Sequence, residues 1–303
     1  MTALPEAETL ARPVAVERRR RRGRRNDTWW RHVVALLALA FALFPVAYVV
    51  SAAFDATPSL SSARILPQHW TLHNFGTIFH EPGVFFGRWY LNTLVVAGAT
   101  ALLQVLLGAL AAYAFSRFRF RGRRLGLLAL LLVQMFPQLL SLVAIYLILL
   151  HTGTYFSILA LNTLTGLIIV YLGGTLGVNT FLLKGFFDTI PSELDESARV
   201  DGATPAQVFW GVVLPLATPV LAVVGMLTFV FTVNEFIFAS ALLQTPHHYT
   251  LTVGMNSFIS QQYDQHWGPF AAGVLLAAIP VVLLFQFLQR FIVEGLTGGA
   301  VKG

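Results

Sequence analysis

The chain has 303 residues, of which 56% are hydrophobic and only 11% charged, and its mean hydropathy is +0.70. Soluble domains carry about 25% charged residues, so most soluble classes are excluded. The absence of cysteine excludes disulfide frameworks, thiolate nucleophiles, Cys-ligated zinc and iron–sulfur clusters. A net charge of +6 alone would suggest nucleic acid, but the charges are separated by apolar runs of bilayer length, which indicates a multi-spanning membrane protein.

Apolar runs of about 20 residues predict membrane-spanning helices. The third and fourth runs share 59 uncharged residues between Arg124 and Lys184, which is enough for two helices joined by the turn-rich residues 151–154. We therefore predict an all-α membrane protein with a domain over residues 32–303. Its six predicted spans cover residues 32–54, 89–116, 125–150, 163–183, 219–243 and 268–289.

Lys and Arg in short loops predict which side of the membrane each loop faces, because cationic loops remain cytoplasmic. With both termini inside, 18 of the 20 Lys and Arg residues are cytoplasmic, and only Arg64 and Arg88 are outside. The opposite orientation would reverse this distribution. The sequence therefore predicts cytoplasmic N- and C-termini.

Residues 1–31 form an Arg-rich tail, with seven arginines within residues 18–25. Such a run can bind nucleic acid or direct nuclear import. Beside a spanning helix it is more typical of contact with the anionic inner leaflet. Basic residues followed by an apolar stretch that ends in small residues, at 50–53, also resemble a secretory signal. The stretch is longer than a signal core, so we interpret it as an uncleaved anchor.

The cytoplasmic loop over residues 184–215 contains two helix starts. Ser192 with Asp195 three residues later resembles a capping box and predicts a short helix over 193–201. This helix is amphipathic, with Leu194 on its apolar face. A helix of two turns is marginal alone in water, so we expect another protein to cover it.

A break and a second start follow this helix. Gly202 supplies the break. Thr204 is the predicted N-cap, Pro205 the first helical residue and Gln207 the third residue of a capping box. The second helix is predicted to run towards Pro215 at the membrane.

The same loop resembles a family signature. Glu196-Ser197-Ala198, then Gly202 after three residues, then Val212-Val213-Leu214-Pro215 after nine more, resemble the "EAA" signature of permease subunits of binding-protein-dependent ABC importers. Ser197 stands for Ala and Val212 for Ile. In that family the short helix lies in a cleft of the cytoplasmic ATPase subunit. The resemblance implies the following ATPase-coupling residues: Glu193, Leu194, Glu196, Ser197, Ala198, Asp201, Gly202 and Ala203.

The resemblance extends over about residues 30–303. Asn234-Glu235-Phe236 is similar to a motif of carbohydrate-importer permeases, and residues 256–303 resemble the G-type permease of the maltose/maltodextrin importer. This implies the type I ABC importer permease fold in the bacterial cytoplasmic membrane. It also implies four kinds of partner besides membrane lipid: a second homologous permease, two ATPase subunits, an extracytoplasmic sugar-binding protein and the sugar itself.

The sequence predicts no enzyme, cofactor or metal in this chain. A Gly-rich phosphate loop ending in Lys-Ser or Lys-Thr does not occur, so ATP and Mg are expected on the partner ATPase. A Gly-x-Ser-x-Gly nucleophile motif does not occur either. His247, His248 and His266 could be proposed as metal ligands, but without nearby acids surface histidines are the stronger interpretation.

Asn234 and Glu235 interrupt the fifth apolar run. An intramembrane carboxylate is a candidate functional site, so the pair could line a translocation path and bind sugar hydroxyls. Alternatively Glu235 lies near the outer interface and only ties helices together. For Gln104, Gln138 and Asn179 we favour hydrogen bonds between helices over sugar contact.

The predicted outer loop over residues 244–267 is polar and aromatic. Aromatic residues at a membrane interface are often plain anchors. The family resemblance favours contact with the docked sugar-binding protein. The candidate contacts are Asn256, Ser257, Gln261, Gln262, Tyr263 and Trp267.

A self-contained secondary transporter or channel is the alternative function. Such proteins carry inverted repeats and several buried ionisable groups. This sequence has one such group, Glu235, and no evident repeat, which favours the importer permease.

Overall fold

The structure is a computed structural model that describes residues 29–56, 66–260 and 266–298. The chain divides into two compact units, residues 1–46 and 47–303. In the first unit, every described residue from Trp29 to Val46 is exposed, and most are apolar. Such a surface suits lipid contact. The Arg-rich run at 18–25 lies outside the described residues.

The described chain is almost entirely helical, with one isolated bridge between Asp55 and Trp70. The helices up to the cytoplasmic loop are α1 (Trp29–Phe54), α2 (His73–His80), α3 (Phe86–Arg117), α4 (Arg123–Met135), α5 (Gln138–Thr152) and α6 (Leu164–Phe187). Those that follow are α7 (Ser192–Val200), α8 (Pro205–Val208), α9 (Leu214–Leu216), α10 (Thr218–Asn234), α11 (Ile237–Leu242), α12 (Leu251–Asn256) and α13 (Trp267–Gly298).

Three helices, α1, α3 and α13, are each long and apolar enough to cross a membrane alone. Three further candidates are bent pairs, so that up to six spans are present among the described residues. This agrees with the predicted number of six. Apart from the isolated bridge, the described residues form helices, which satisfy backbone hydrogen bonds internally, as a lipid environment requires.

Two predicted spans are not continuous helices. The span predicted over 125–150 is broken at Phe136-Pro137, where α4 and α5 meet at 96°. Pro137 has no N–H and its ring clashes with the preceding turn, so a helix cannot continue through it unbent. The span predicted over 219–243 ends at Asn234, and a second short helix, α11, starts at Ile237.

Two other bends concern α6 and the entry to α10. The helix α6 bends by 53° between Gly174 and Gly177, within the span predicted over 163–183. The segment Pro205–Leu216 meets α10 at 77°, and a π-helical turn over Phe209–Val213 lies inside it. Turns of this type are common at functional sites in helices.

The core of the second unit is centred on α3, α6 and α10. Gln104 of α3 is fully buried and donates to the carbonyl oxygens of Tyr171 and Leu172, at 3.2 and 3.1 Å. The amide of Asn179 donates to Gln104 Oε1 at 3.1 Å and to Thr228 Oγ1 at 3.3 Å. The prediction that these polar residues bond helix to helix is confirmed. Such bonds hold helices together where lipid removes the hydrophobic driving force.

Candidate functional site: the cytoplasmic loop, the helix breaks and the outer loop

The short cytoplasmic helix is present, and it begins and ends one residue earlier than predicted. The prediction covers 193–201, and α7 covers Ser192–Val200. The predicted capping box is wrong, because Pro191 is the N-cap, Ser192 is the first helical residue, and no side-chain cap bond is present at this helix start. Asp195 instead turns towards α3, where it is buried.

The last turn of α3 holds the start of the cytoplasmic loop. Arg117 Nε lies 2.9 Å from Asp195 Oδ2, and the two side chains are 9% and 4% exposed. Arg117 Nη2 also donates to the carbonyl oxygen of Ile190 at 2.9 Å. Ser116 Oγ donates to Asp188 Oδ1 at 2.7 Å. The sequence did not single out Arg117 or Asp195 for this role, because their closeness depends on a tertiary contact 78 positions apart.

The predicted coupling residues fall into two groups. Ala198 and Ala203 are half-buried and pack against the core. The others face outwards: Glu193, Leu194, Glu196, Ser197, Asp201 and Gly202. Leu194 is 42% and Val200 87% exposed, so the outer face of α7 presents apolar side chains among acids. An amphipathic face of this kind is suited to a protein partner.

The second half of the loop folds as predicted. Gly202 has φ = 88°, a left-handed conformation that glycine adopts without a Cβ clash. Thr204 N donates to Gln207 Oε1 at 2.8 Å and Gln207 N to Thr204 Oγ1 at 3.3 Å. This capping box, with Pro205 in the first turn, starts α8. The break and restart fix the direction in which the chain re-enters the apolar part of the molecule.

A cavity of 1210 Å³ lies between the two helix breaks. It is lined by the α4–α5 break at Phe136-Pro137, by α6, and by the α10–α11 break at Glu235-Phe236. Most of the lining is apolar. The polar lining residues are Gln134, Gln138, Ser141, Tyr171, Asn234 and Glu235.

Glu235 lines this cavity and also ties helices together. Its Oε2 accepts from the Tyr171 hydroxyl at 2.5 Å and from Ala239 N at 3.1 Å, and its Oε1 accepts from Phe238 N at 2.9 Å. The carboxylate therefore satisfies N–H groups at the start of α11 that have no partner within the helix. Its neighbour Asn234 is exposed, and its Nδ2 donates to the Val230 carbonyl oxygen of its own helix, 2.8 Å away.

Gln138 makes the bond between helices that the sequence favoured for it, and it also faces the cavity. It lines the cavity, and its Nε2 donates to the carbonyl oxygen of Gly174 at 2.9 Å. This bond lies at the bend of α6 and joins it to the start of α5. The role of Tyr171 as a partner of Glu235 was not predicted, since a tyrosine within an apolar run gives no signal of its partner.

The outer loop is folded against the outer end of α3. Trp89 Nε1 donates to the Pro246 carbonyl oxygen at 2.7 Å. Asn92 donates to the carbonyl oxygens of His247 and Tyr249, at 3.0 and 2.9 Å. Leu251 N donates to Thr93 Oγ1 at 2.7 Å. These bonds position α12.

The predicted binding-protein contacts are only partly described. Asn256 and Trp267 are half-buried and Ser257 is exposed. Gln261, Gln262 and Tyr263 lie outside the described residues. The ring of His247 lies 4.0 Å from that of Phe85. No group of three or more His, Asp or Glu side chains that could hold a metal occurs within the described ranges.

The sequence matches a known protein family and several permeases. Residues 104–298 match the family described as "Binding-protein-dependent transport system inner membrane component". The chain is 41% identical to a maltose/maltodextrin transport system permease protein of Salmonella typhimurium, over 90% of this chain and 95% of the relative. It is 40% identical to a maltodextrin permease of Bacillus subtilis (86% and 91% covered) and 37% identical to a galactooligosaccharide permease of the same organism (90% and 96%).

The fold is also that of solved transporters. A bacterial ABC transporter for the import of alginate superposes with a TM-score of 0.71 at 24% identity, over 88% of this chain and 98% of the solved chain. A second solved structure is that of a bacterial alginate ABC transporter in complex with a periplasmic protein that holds an alginate pentasaccharide. Its TM-score is 0.64 at 18% identity, over 87% of this chain and 93% of the solved chain. Three observations support the same family: the six candidate spans, the loop that carries α7 and the family match. The chain belongs to the inner membrane components of binding-protein-dependent transport systems, as a type I ABC importer permease.

Proposed function

We propose that this permease moves a maltose- or maltodextrin-like sugar into the cell, together with a second permease subunit, two ATPase subunits and an extracytoplasmic sugar-binding protein. The observation that carries the proposal is the 40–41% identity to maltose and maltodextrin permeases over 86–91% of the chain. ATP and Mg would bind the ATPase subunits, and this chain would contribute no catalytic group.

The exposed face of α7 is the proposed docking site for one ATPase subunit. Its exposed acids and apolar side chains can form ion pairs at the rim and apolar contacts at the centre, as protein interfaces do. ATP-driven closure of the ATPases would displace α7 and switch the spans between inward and outward access. Glu193, Leu194 and Glu196 are the outward residues on which this contact depends.

The cavity between the helix breaks is the proposed part of the translocation path in this chain. Its apolar walls suit the faces of sugar rings, and Asn234 and Gln138 can hydrogen-bond hydroxyls. Since Glu235 is already bonded three times, we propose that it shapes the path by holding α11. The outer loop, with Asn256, Ser257 and Trp267 and with Gln261, Gln262 and Tyr263, is the proposed contact for the binding protein.

Uptake measured with a panel of sugars tests the substrate class. Deletion of the gene is expected to abolish uptake of maltose or maltodextrins and to leave a monosaccharide such as glucose unaffected. Loss of galactooligosaccharide uptake alone would contradict the proposal. Galactooligosaccharides are the competing substrate class, because a galactooligosaccharide permease is 37% identical to this chain.

Co-purification tests the ATPase contact. An ATPase subunit is expected to purify with the unsubstituted chain and to be lost in the variants Glu196→Lys and Gly202→Pro. Glu196→Lys reverses an exposed charge on α7, and proline at position 202 cannot adopt φ = 88°. Arg119→Gln, in another cytoplasmic loop, is the control and should retain the ATPase. Retention in all three variants would remove α7 as the docking site.

A further inference from the structure

The helix α3 contacts both the cytoplasmic loop and the outer loop. At its inner end, Tyr113 Oη donates to the carbonyl oxygen of Pro205 at 3.3 Å, and Ser116 Oγ bonds Asp188. At its outer end, Trp89 and its neighbours hold the outer loop through the carbonyl bonds described above. One helix of 32 residues without proline therefore joins the segments proposed to meet the ATPase and the binding protein. At 1.5 Å per residue, its length is about 48 Å.

The contact between α3 and α7 is a buried ion pair. Arg117 Nε and Asp195 Oδ2 are 2.9 Å apart, but they are not aligned as a hydrogen bond, so the attraction is mainly between charges. The other carboxylate oxygen, Oδ1, is buried and receives no hydrogen bond from the part of the chain that the structure describes. Removal of either partner would leave an uncompensated buried charge.

The pair adds a charged contact to a short helix that otherwise packs on the core through Ala198. The helix α7 has nine residues, and its outer face is exposed. Its chain connections to α6 and α8 are short loops, whereas Arg117 reaches both α7, at Asp195, and the loop before it, at Ile190. A force applied to the outer face of α7 would therefore pass directly to α3.

We propose that α3 and α7 move as one rigid unit, that Arg117 and Asp195 are the positioning residues that join them, and that α3 links ATP hydrolysis to the state of the outer loop. This proposal rests on the proposed function, since it needs an ATPase at α7 and a binding protein at the outer loop. In this proposal neither residue acts by contact with the sugar or the nucleotide. Their role is to keep α7 and α3 in a fixed relative position.

The experiment uses the complete complex in proteoliposomes and measures ATP hydrolysis with and without sugar-loaded binding protein. Asp195→Asn and Arg117→Gln are expected to reduce the stimulation by binding protein at least tenfold while the ATPase still co-purifies. The exchanged pair, Arg117→Asp with Asp195→Arg, should recover part of that stimulation. Arg119→Gln removes an arginine two positions from Arg117, outside the ion pair, and should retain full stimulation. Stimulation within twofold of the unsubstituted complex in both single variants would overturn the proposal.

A second measurement decides the matter if the single variants do not fold. The chain has no cysteine, so Ser116→Cys with Asp188→Cys introduces the only two thiols, at side chains in contact. A short bis-thiol reagent joins them. Because the proposal makes α3 and the loop one unit, transport should be the same before and after the reagent. Transport that stops on cross-linking would show relative motion and would refute the rigid unit.

The two proposals fail in different ways. If no ATPase subunit purifies with the unsubstituted chain, the proposed function itself is wrong. If the ATPase purifies and responds to the binding protein, but the substitutions at Arg117 and Asp195 leave that response intact, only the rigid connection is wrong.

Discussion

At the scale of single residues, Glu235 shows how a polar side chain can serve the backbone inside a membrane protein. A carboxylate that accepts from Tyr171 and from two backbone N–H groups replaces the bonds that the helix break would otherwise leave unmade. The cavity is thus bordered by a break that Glu235 stabilises. The structure shows that Glu235 ties helices together, whereas its place in a translocation path stays a proposal.

We predict that Glu235→Gln impairs sugar uptake. In either orientation the amide NH₂ would face a backbone N–H of α11, that of Phe238 or that of Ala239, and an unmade buried bond costs about 1–3 kcal/mol. Uptake in cells and thermal unfolding of the purified chain measure the effect. Tyr171→Phe, which removes one bond and adds no donor, should be milder. Unaltered uptake in Glu235→Gln would exclude a role in the pathway.

Asp188 gives a prediction for pH. Burial raises the pKa of its carboxyl, but hydrogen bonds from Lys184 and Ser116 outweigh burial, so the pKa is lowered from 3.8. A group with a lowered folded-state pKa stabilises the fold fully above its ordinary value, and the contribution is lost as pH falls through the lowered pKa. The melting temperature of Asp188→Asn should therefore be lower than that of the unsubstituted chain at about pH 7. The difference between the two melting temperatures should shrink at pH values below 3.8. A difference that stays constant with pH would contradict this.

At the scale of elements, the cytoplasmic loop distinguishes a capping pattern that forms from one that does not. Thr204 and Gln207 form the box that their spacing predicts. Ser192 and Asp195 have the same spacing, but Pro191 is the N-cap and Asp195 pairs with Arg117. A capping box predicted from local sequence forms here only where no tertiary partner competes for its side chains.

We predict that Thr204→Ala lowers the free energy of unfolding by about 1 kcal/mol, because it removes the side-chain cap of α8. Titration with a denaturing detergent measures this. Ser192→Ala is the matched control and should have little effect, since no side-chain cap bond is present at the start of α7. Equal losses in the two variants would mean that both caps form.

At the scale of the whole molecule, topology depends on charge. Of the 18 cations that predict cytoplasmic termini, 14 lie in the tail and in residues 117–124, where α3 ends and α4 begins. Single cysteines can be placed without background, because the chain has none. Arg121→Cys should react with a membrane-impermeant maleimide only after permeabilisation, whereas Ser257→Cys should react in intact cells. Labelling in the reverse pattern would overturn the orientation.

The sequence by itself determined the class of protein, the number of candidate spans and the place of the loop that carries α7. These features depend on composition, on the length of uncharged runs and on residues close together in the chain, such as Thr204 and Gln207. The relation to importer permeases was likewise evident from the loop and the Asn234-Glu235-Phe236 motif.

Only the tertiary structure decided which residues meet across the fold. The breaks at Pro137 and Glu235 line one cavity, although they lie about 100 positions apart. Arg117 meets Asp195, and Tyr171 meets Glu235, because α3, α6 and the cytoplasmic loop pack side by side. Apolar residues are nearly interchangeable as signals of membrane residence, so the sequence cannot specify which helix faces pack. The shape of the packed helices selects these contacts.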